Sequence, residues 1–125
     1  MAELGERVAA KDAVGRYGER VAARFLVDAG MAVLDRNWRC GEGEIDIIAR
    51  DGDALVICEV KTRRGDSHGS PAEAVTAAKV AQVRRLAKYW LAHSGLSTVE
   101  VRFDVVCVRP RRSGPATVEH LRGAF

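Results

Sequence analysis

The chain has 125 residues, of which 47% are hydrophobic and 30% are charged, with a formal net charge of +3. This length suits one domain, and the mildly basic charge permits nucleic-acid binding without requiring it. The composition excludes membrane-spanning and disulfide-framework proteins, because no apolar run approaches the ~20 residues that cross a bilayer and the three cysteines lie far apart without zinc-site spacing.

The first part of the chain predicts one helix and one strand. Residues 1–11 carry little pattern and are expected to be frayed, which leaves a single domain over residues 12–125. They also lack the basic start and apolar core of a secretory signal, so we expect a cytoplasmic protein. From Asp12 a helix is predicted, with an apolar stripe at Ala22, Phe25, Leu26 and Ala29 and an end at Gly30. Residues 31–39 predict the first strand.

A tight-turn signal, Asp51-Gly52, lies between two β-rich runs and predicts an antiparallel hairpin over residues 43–61. With the turn centred there, Asp46 faces Ile57 and is the diagonal neighbour of Glu59, about 7–8 Å away at the backbone. Because side chains alternate along a strand, one face carries the charged set Glu44, Asp46, Glu59 and Lys61. The opposite face is expected to enter the core with Ile45, Ile47, Val56, Cys58 and Val60.

The second part of the chain completes an α/β order. Residues 65–70 are interpreted as a flexible loop, and Pro71 is suited to begin a helix that ends near Leu91 or His93. The buried stripe of that helix is predicted at Val83, Leu86, Ala87 and Trp90. Residues 99–108 predict a fourth strand, and residues 117–121 are a candidate short edge strand. The predicted fold is therefore an α/β mixed sheet flanked by helices, in the order αβββαβ with a short C-terminal strand.

Two carboxylates and a lysine on one rigid face match what metal-assisted phosphodiester hydrolysis requires. Asp46 and Glu59 offer the hard oxygen ligands that Mg²⁺ prefers, and Lys61 can orient the attacking water or offset charge on the phosphate. Burying such charges among Ile and Val costs several kcal/mol unless they are paired or hold a cation. The alternative is a half-exposed hairpin with a Glu–Lys surface pair, which contributes little.

The acid at Asp46 followed by Glu59-Val60-Lys61 resembles the signature of the PD-(D/E)XK, or restriction-endonuclease-like, nucleases. An ordered set of further motifs resembles the YraN-type family of small bacterial proteins, whose nearest relatives in architecture are similar to archaeal Holliday junction resolvases. In this chain the motifs are, in order, Gly18–Ala22, Arg36–Arg39, Gly43–Ala49, Glu59–Arg63, Ala74-Val75 with Lys79, Arg102–Val106 and Ala124-Phe125. Ile57-Cys58 departs from the family, which tends to have an aromatic residue and Val there; both positions stay apolar.

The resemblance implies a Mg²⁺-dependent endonuclease, with Mn²⁺ as a substitute, that acts on structured or branched DNA. Asp46 and Glu59 would bind the metal with the Val60 carbonyl, and Glu19 would be a further acid near it, although a cap or a surface salt bridge is the alternative for Glu19. Lys61 would serve the attacking water. Phosphate contacts are assigned to Arg63, Arg64, Arg39 and Lys79, although a helix surface is the more usual place for Lys79.

Two other functions stay open from the sequence. One is a DNA- or RNA-binding module that keeps the fold and does not cut, and the other is a partner-binding protein whose acids pair with its own arginines. A homodimer is also expected, since two cuts need two sites. Glu44 could pair with Lys61, and Asp104, which lies in an apolar strand, is expected to have a structural partner such as a nearby arginine. The arginine-rich cluster of the second helix is interpreted as a solvated face.

Overall fold

The protein folds as a five-stranded mixed sheet with a long helix on each face. The computed structural model describes residues 2–64, 71–96 and 100–125, and it describes no side chains for residues 2–12. The elements are α1 (Ala2–Asp28), β1 (Ala32–Cys40), β2 (Gly43–Asp51), β3 (Ala54–Thr62), a short 3-10 helix (Pro71–Ala74), α2 (Ala77–Ser94), β4 (Glu100–Arg109) and β5 (Thr117–Leu121). The predicted order is confirmed, including the short C-terminal strand.

The strands lie in the sheet in the order in which they occur along the chain, from β1 to β5. The pairs β1–β2, β2–β3 and β4–β5 are antiparallel, whereas β3 and β4 are parallel. A parallel pair needs a long crossover connection, and α2 provides it. Because β3 leads into this crossover, its C-terminal end lies beside the beginning of α2, and this is where the candidate site forms.

Each face of the sheet has its own apolar core. Val83, Leu86, Ala87 and Trp90 of α2 pack with Phe103 and other residues of the sheet, which confirms the predicted stripe. Ala22 and Leu26 of α1 pack on the opposite face. A sheet covered on both faces explains the continuous apolar runs of residues 54–58 in β3 and 105–108 in β4, where every residue is buried.

The hairpin register differs from the prediction by two residues. Asp51 pairs with Ala54, so the turn consists of Gly52 and Asp53, and Gly52 has a φ of 59°. This left-handed conformation at the first turn position suits glycine. Asp51 remains in the strand because its carboxylate accepts hydrogen bonds from Arg102 and Arg122, at 2.9 and 2.6 Å. A register shift by an even number of residues leaves each side chain on the face of the sheet where it was predicted. Glu59 and Lys61 therefore still share a face.

The alternation predicted for β2 is interrupted at Asp46. Ile45 belongs to the core under α2, whereas Ile47 belongs to the core under α1, so the prediction that they share a face is wrong. On the neighbouring strand, Asn37 lies between the pairs that join Arg36 with Ile47 and Trp38 with Ile45, and it has a φ of 53°. This local irregularity of the two strands changes the direction in which the Asp46 side chain leaves the sheet.

Some element ends also differ from the predictions. The first helix begins at Ala2 rather than Asp12. Pro71 begins the 3-10 helix, and α2 starts only after Thr76, whose hydroxyl caps it by accepting a hydrogen bond from the Lys79 amide. The predicted loop at residues 65–70, and residue 99 of the predicted fourth strand, lie outside the described residues. Within the described stretches, no helix is long and apolar enough to cross a membrane.

Candidate metal site at the end of β3

The candidate site lies where β2 and β3 separate. Pairing between these strands ends at Ile47 and Cys58; beyond that point β2 continues beside β1, and β3 continues beside β4. The Asp46 carboxylate crosses the resulting gap and accepts a 2.8 Å hydrogen bond from the Val60 amide. Because Val60 stands between Glu59 and Lys61, this bond joins the three predicted catalytic residues at one point in the sheet.

Asp46 carries negative charge in a place that disfavours it. Its pKa is raised from 3.8 to about 6, chiefly by burial; the hydrogen bond from Val60 lowers the pKa, and the nearby carboxylates of Glu19, Glu59 and Glu44 raise it. Desolvation and like charges both destabilise an ionised carboxylate. A bound cation would relieve both effects, so the electrostatics of Asp46 suit a metal ligand.

Glu59 is largely buried, with 14% of its side chain exposed, and its two oxygens have different surroundings. Oε1 lies 2.8 Å from the Lys79 ammonium and 3.6 Å from that of Lys61. Oε2 is buried, and no hydrogen-bond partner for it occurs among the described residues. An unsatisfied buried carboxylate oxygen is costly, and it is also what a metal-binding carboxylate presents before its ion arrives.

A small cavity of about 60 Å³ lies beside these two acids. Its polar walls come from Glu44, Asp46, Glu59 and Lys79, and its remaining walls are buried core residues, most of them under α2. In the described part of the chain, no group of three or more His, Cys, Asp and Glu residues is arranged to hold a metal ion. An ion here would therefore have two carboxylates as its main protein ligands. This donor set fits Mg²⁺, which commonly binds through one or two carboxylates and keeps several waters.

Glu19 reaches the site from α1, on the other side of β3. It lines an open groove of about 600 Å³ with Val60, Lys61, Arg63 and Arg64, among other residues. The helix comes this close because residue 18 is glycine: a Cβ on Gly18 would overlap the hydroxyl of Thr62 in β3. Glu19 is therefore near enough for its charge to act on Asp46, while its predicted part in metal binding stays a prediction.

The residues assigned to phosphate binding have different surroundings. Arg63 and Arg64 are exposed at the end of β3 and border the groove. Arg39 instead forms an exposed ion pair with Glu44 at 3.1 Å, so the structure gives Glu44 a different partner from the Lys61 considered in the sequence. Lys79, on the first turn of α2, points its ammonium at Glu59 rather than along the helix surface.

The sequence did not predict two features of the structure. One is the contact of Lys79 with Glu59, since the two are 20 positions apart and meet only because α2 folds back across the sheet. The other is the extent of the network around Asp104, which is fully buried. Its expected arginine partner is confirmed as Arg102, and His120 and the Gly123 amide also donate hydrogen bonds to it. The two-residue spacing of Arg102 and Asp104, which puts both on one face of β4, was the available signal.

Comparison with known proteins identifies relatives over nearly the whole chain. The model of the uncharacterised protein family UPF0102 matches residues 18–108. A UPF0102 protein of Kineococcus radiotolerans is 62% identical over 117 residues, covering 93% of this chain and 96% of the relative. The UPF0102 protein of Streptomyces coelicolor is 54% identical over 121 residues, covering 95% and 93%.

Among solved structures, the chain gives a weak match to Pyrococcus furiosus SfsA in complex with Ca²⁺. The TM-score is 0.33 at 11% sequence identity, and the match covers 86% of this chain but only 62% of the SfsA chain. The family match spans most of the sequence, and the relatives are aligned over nearly their full lengths. The chain therefore belongs to the UPF0102 family, the YraN-type family that its motifs resemble.

Proposed function

We propose that the protein is a divalent-metal-dependent endonuclease that hydrolyses phosphodiester bonds in structured or branched DNA. The observation that carries this proposal is the buried Oε2 of Glu59, which has no hydrogen-bond partner in the described part of the chain and lies beside Asp46 at the split between β2 and β3. A purely structural carboxylate in this position would be expected to have both oxygens satisfied by the protein. Two neighbouring acids that share no counter-ion among the residues the structure describes instead fit a site that receives one.

Each residue of the site has a role in the proposed reaction. Asp46 and Glu59 would hold Mg²⁺, or Mn²⁺ in its place, with the Val60 carbonyl, and Glu19 would add negative charge from α1. The ion, when bound, supplies Lewis-acid activation of the phosphate and a more acidic water. Lys61, with 37% of its side chain exposed, is accessible to substrate; it orients the water and neutralises charge on the phosphate.

The proposed substrate class is supported by the basic residues near the site. Arg63 and Arg64 are exposed beside the groove and can neutralise backbone phosphates, and Arg39, which pairs with the cavity-lining Glu44, would do the same if DNA replaced Glu44 as its partner. Phosphate contacts position a nucleic acid but do not read its sequence. We therefore propose recognition of DNA shape, such as a branch, and a homodimer that makes paired cuts.

A cleavage assay with metal controls tests this function. The substrates are a four-way junction, a flap, a duplex and a single strand of the same sequence, incubated with Mg²⁺, Mn²⁺ or EDTA. Wild type should cut a branched substrate only with metal, and Asp46→Asn and Lys61→Met should lose at least about 100-fold of the rate. Glu73→Gln and Lys88→Gln remove the same charges at exposed positions that line neither the cavity nor the groove, and they should cut normally.

Two results would contradict the proposal. Wild type that binds branched DNA and never cuts it would identify a binding module that retains the fold. Wild type that neither binds nor cuts DNA would favour the partner-binding alternative. Circular dichroism of each variant must show the folded state, because loss of activity through unfolding does not bear on the role of Asp46 or Lys61.

A further inference from the structure

We propose that Lys79 is a built-in counter-ion that competes with the divalent metal for Glu59 and so sets the metal affinity of the site. This inference rests on the proposed function, because it concerns the same two carboxylates. It assigns Lys79 a place in the metal equilibrium rather than a contact with reacting atoms, so Lys79 is a positioning residue.

The first support is the geometry of Lys79. Its ammonium lies 2.8 Å from Glu59 Oε1, which is closer than the 3.6 Å of Lys61. The Lys79 side chain is 29% exposed and that of Glu59 is 14% exposed, so this pair is shielded from water more than a typical surface ion pair. Charge-assisted contacts of this length and burial are stronger than exposed ones.

The second support is the position of Lys79 in the wall of the cavity. The cavity of about 60 Å³ is lined by Asp46 and Glu59. Among the described residues that line it, Lys79 is the basic one. The backbone of Lys79 is fixed, because the Thr76 hydroxyl accepts a hydrogen bond from its amide at the start of α2. A cation that enters the cavity therefore meets a positive charge already placed next to one of its ligands.

The third support is the difference between the two oxygens of Glu59. Lys79 satisfies Oε1, whereas Oε2 is buried and no described residue gives it a hydrogen bond. The Lys79 ammonium therefore neutralises only part of the negative charge of the two acids. A divalent ion held by Asp46 and Glu59 would share the Glu59 carboxylate with Lys79 and repel its ammonium, and so would weaken the Lys79 contact; thermodynamic linkage then requires that this contact weaken the ion's binding by the same factor.

Competition makes an unusual prediction for a variant near an active site, namely that removing Lys79 improves metal binding. Mn²⁺ affinity is measured by electron paramagnetic resonance of free Mn²⁺, without DNA. Lys79→Gln should bind Mn²⁺ about tenfold more tightly than wild type, which corresponds to about 1.4 kcal/mol. Lys79→Arg keeps the charge and should remain within about twofold of wild type. Lys88→Gln removes one charge from an exposed position of the same helix and should also stay within about twofold.

Thermal denaturation gives a second readout. Without metal, Lys79→Gln should have a lower Tm than wild type, because Glu59 loses its nearest cation. With saturating Mn²⁺ the Tm should rise more in Lys79→Gln than in wild type. If Lys79 only stabilised the packing of α2 on the sheet, Lys79→Gln would also be less stable, but it would bind Mn²⁺ as tightly as wild type or more weakly. Mn²⁺ binding that is equal or weaker therefore overturns the inference.

The failures of the two proposals can be told apart. If neither wild type nor Lys79→Gln binds Mn²⁺, the metal site itself is wrong and both proposals fall. If wild type binds Mn²⁺ and Lys79→Gln binds it no more tightly, the competition is wrong, while the metal-dependent nuclease survives. If Lys88→Gln gains as much affinity as Lys79→Gln, the effect is one of net charge, and the specific role of Lys79 is overturned.

Discussion

The Asp46 carboxylate accepts a 2.8 Å hydrogen bond from the backbone amide of Val60, across the gap between two strands that no longer pair. Val60 has Glu59 on one side and Lys61 on the other. The bond therefore fixes an acid of β2 to the segment of β3 that carries the second acid and the lysine. It also compensates one oxygen of Asp46 for its burial, although not enough to restore the ordinary pKa of the group.

Asp46→Asn should stabilise the metal-free protein. The amide side chain can still accept the hydrogen bond from Val60, while it removes a half-buried charge that burial and the neighbouring acids Glu19 and Glu59 disfavour. We expect a gain of about 1–2 kcal/mol at pH 8 in EDTA, measured by urea denaturation. Adding Mn²⁺ should then stabilise wild type and leave Asp46→Asn nearly unchanged. A variant less stable than wild type in EDTA would contradict this account of Asp46.

Gly18→Ala should destabilise the protein even though alanine favours helices. A Cβ at residue 18 would overlap the Thr62 hydroxyl, so α1 or β3 must move. Gly15→Ala on the same helix is the matched control, because its Cβ would meet nothing within 4 Å, and it should gain about 0.5–1 kcal/mol. Thr62→Ala should recover part of the loss caused by Gly18→Ala. Equal denaturation midpoints for the two alanine variants would show that the close approach of α1 to β3 is unimportant.

Much of the fold could be predicted because its signals are local. The apolar stripe of α2 and the two acids and one lysine near the end of the hairpin are patterns within short stretches of sequence. The hairpin register was not predictable in this way. Asp51-Gly52 is a good turn sequence, yet Asp51 belongs to the strand because Arg102 and Arg122, 51 and 71 positions away, bind its carboxylate. Such a choice between turn and strand depends on tertiary contacts.

The candidate site shows the same division between local and distant causes. Glu59 and Lys61 share a side because alternation along one strand requires it. The direction of Asp46 depends on an interruption of the alternation, beside an Asn37 with positive φ, which no periodicity reveals. Lys79 reaches Glu59 only through the path of α2. A glycine inside a helix, such as Gly18, indicates that another element can approach closely. The sequence does not show that this element is β3 at Thr62.

Arg63 and Arg64 should contribute more to DNA affinity than an equal number of charges elsewhere. Both are exposed at the end of β3 and border the groove that contains Glu19 and Lys61. The double variant Arg63→Gln/Arg64→Gln should weaken binding of branched DNA about tenfold at 100 mM salt and lower the slope of log K against log salt by about 1–2. Arg85→Gln/Lys88→Gln, on the exposed face of α2, should change both quantities much less. Equal losses in the two double variants would show that DNA responds to net charge rather than to this rim.

Asp104 should control the stability of the protein in acid. Burial raises its pKa, but hydrogen bonds from His120, Arg102 and the Gly123 amide outweigh this and lower it from 3.8 to about 2. A carboxyl group with a depressed pKa in the folded state stabilises that state above its ordinary pKa, and this contribution is lost as the pH falls through the folded value. Wild type should therefore lose stability steeply between about pH 4 and pH 2.

Asp104→Asn isolates this contribution, because asparagine has nearly the same shape and does not titrate. It leaves the buried end of Arg102 without a carboxylate, so we expect a loss of about 3 kcal/mol at pH 7 by urea denaturation. Asp51 still faces Arg102, which limits the damage and should keep the variant folded. The difference between wild type and variant should shrink as the pH falls from 4 to 2, because only wild type has this proton to bind. Denaturation midpoints that stay equally far apart at pH 5 and pH 2 would mean that the acid sensitivity comes from other carboxylates than Asp104.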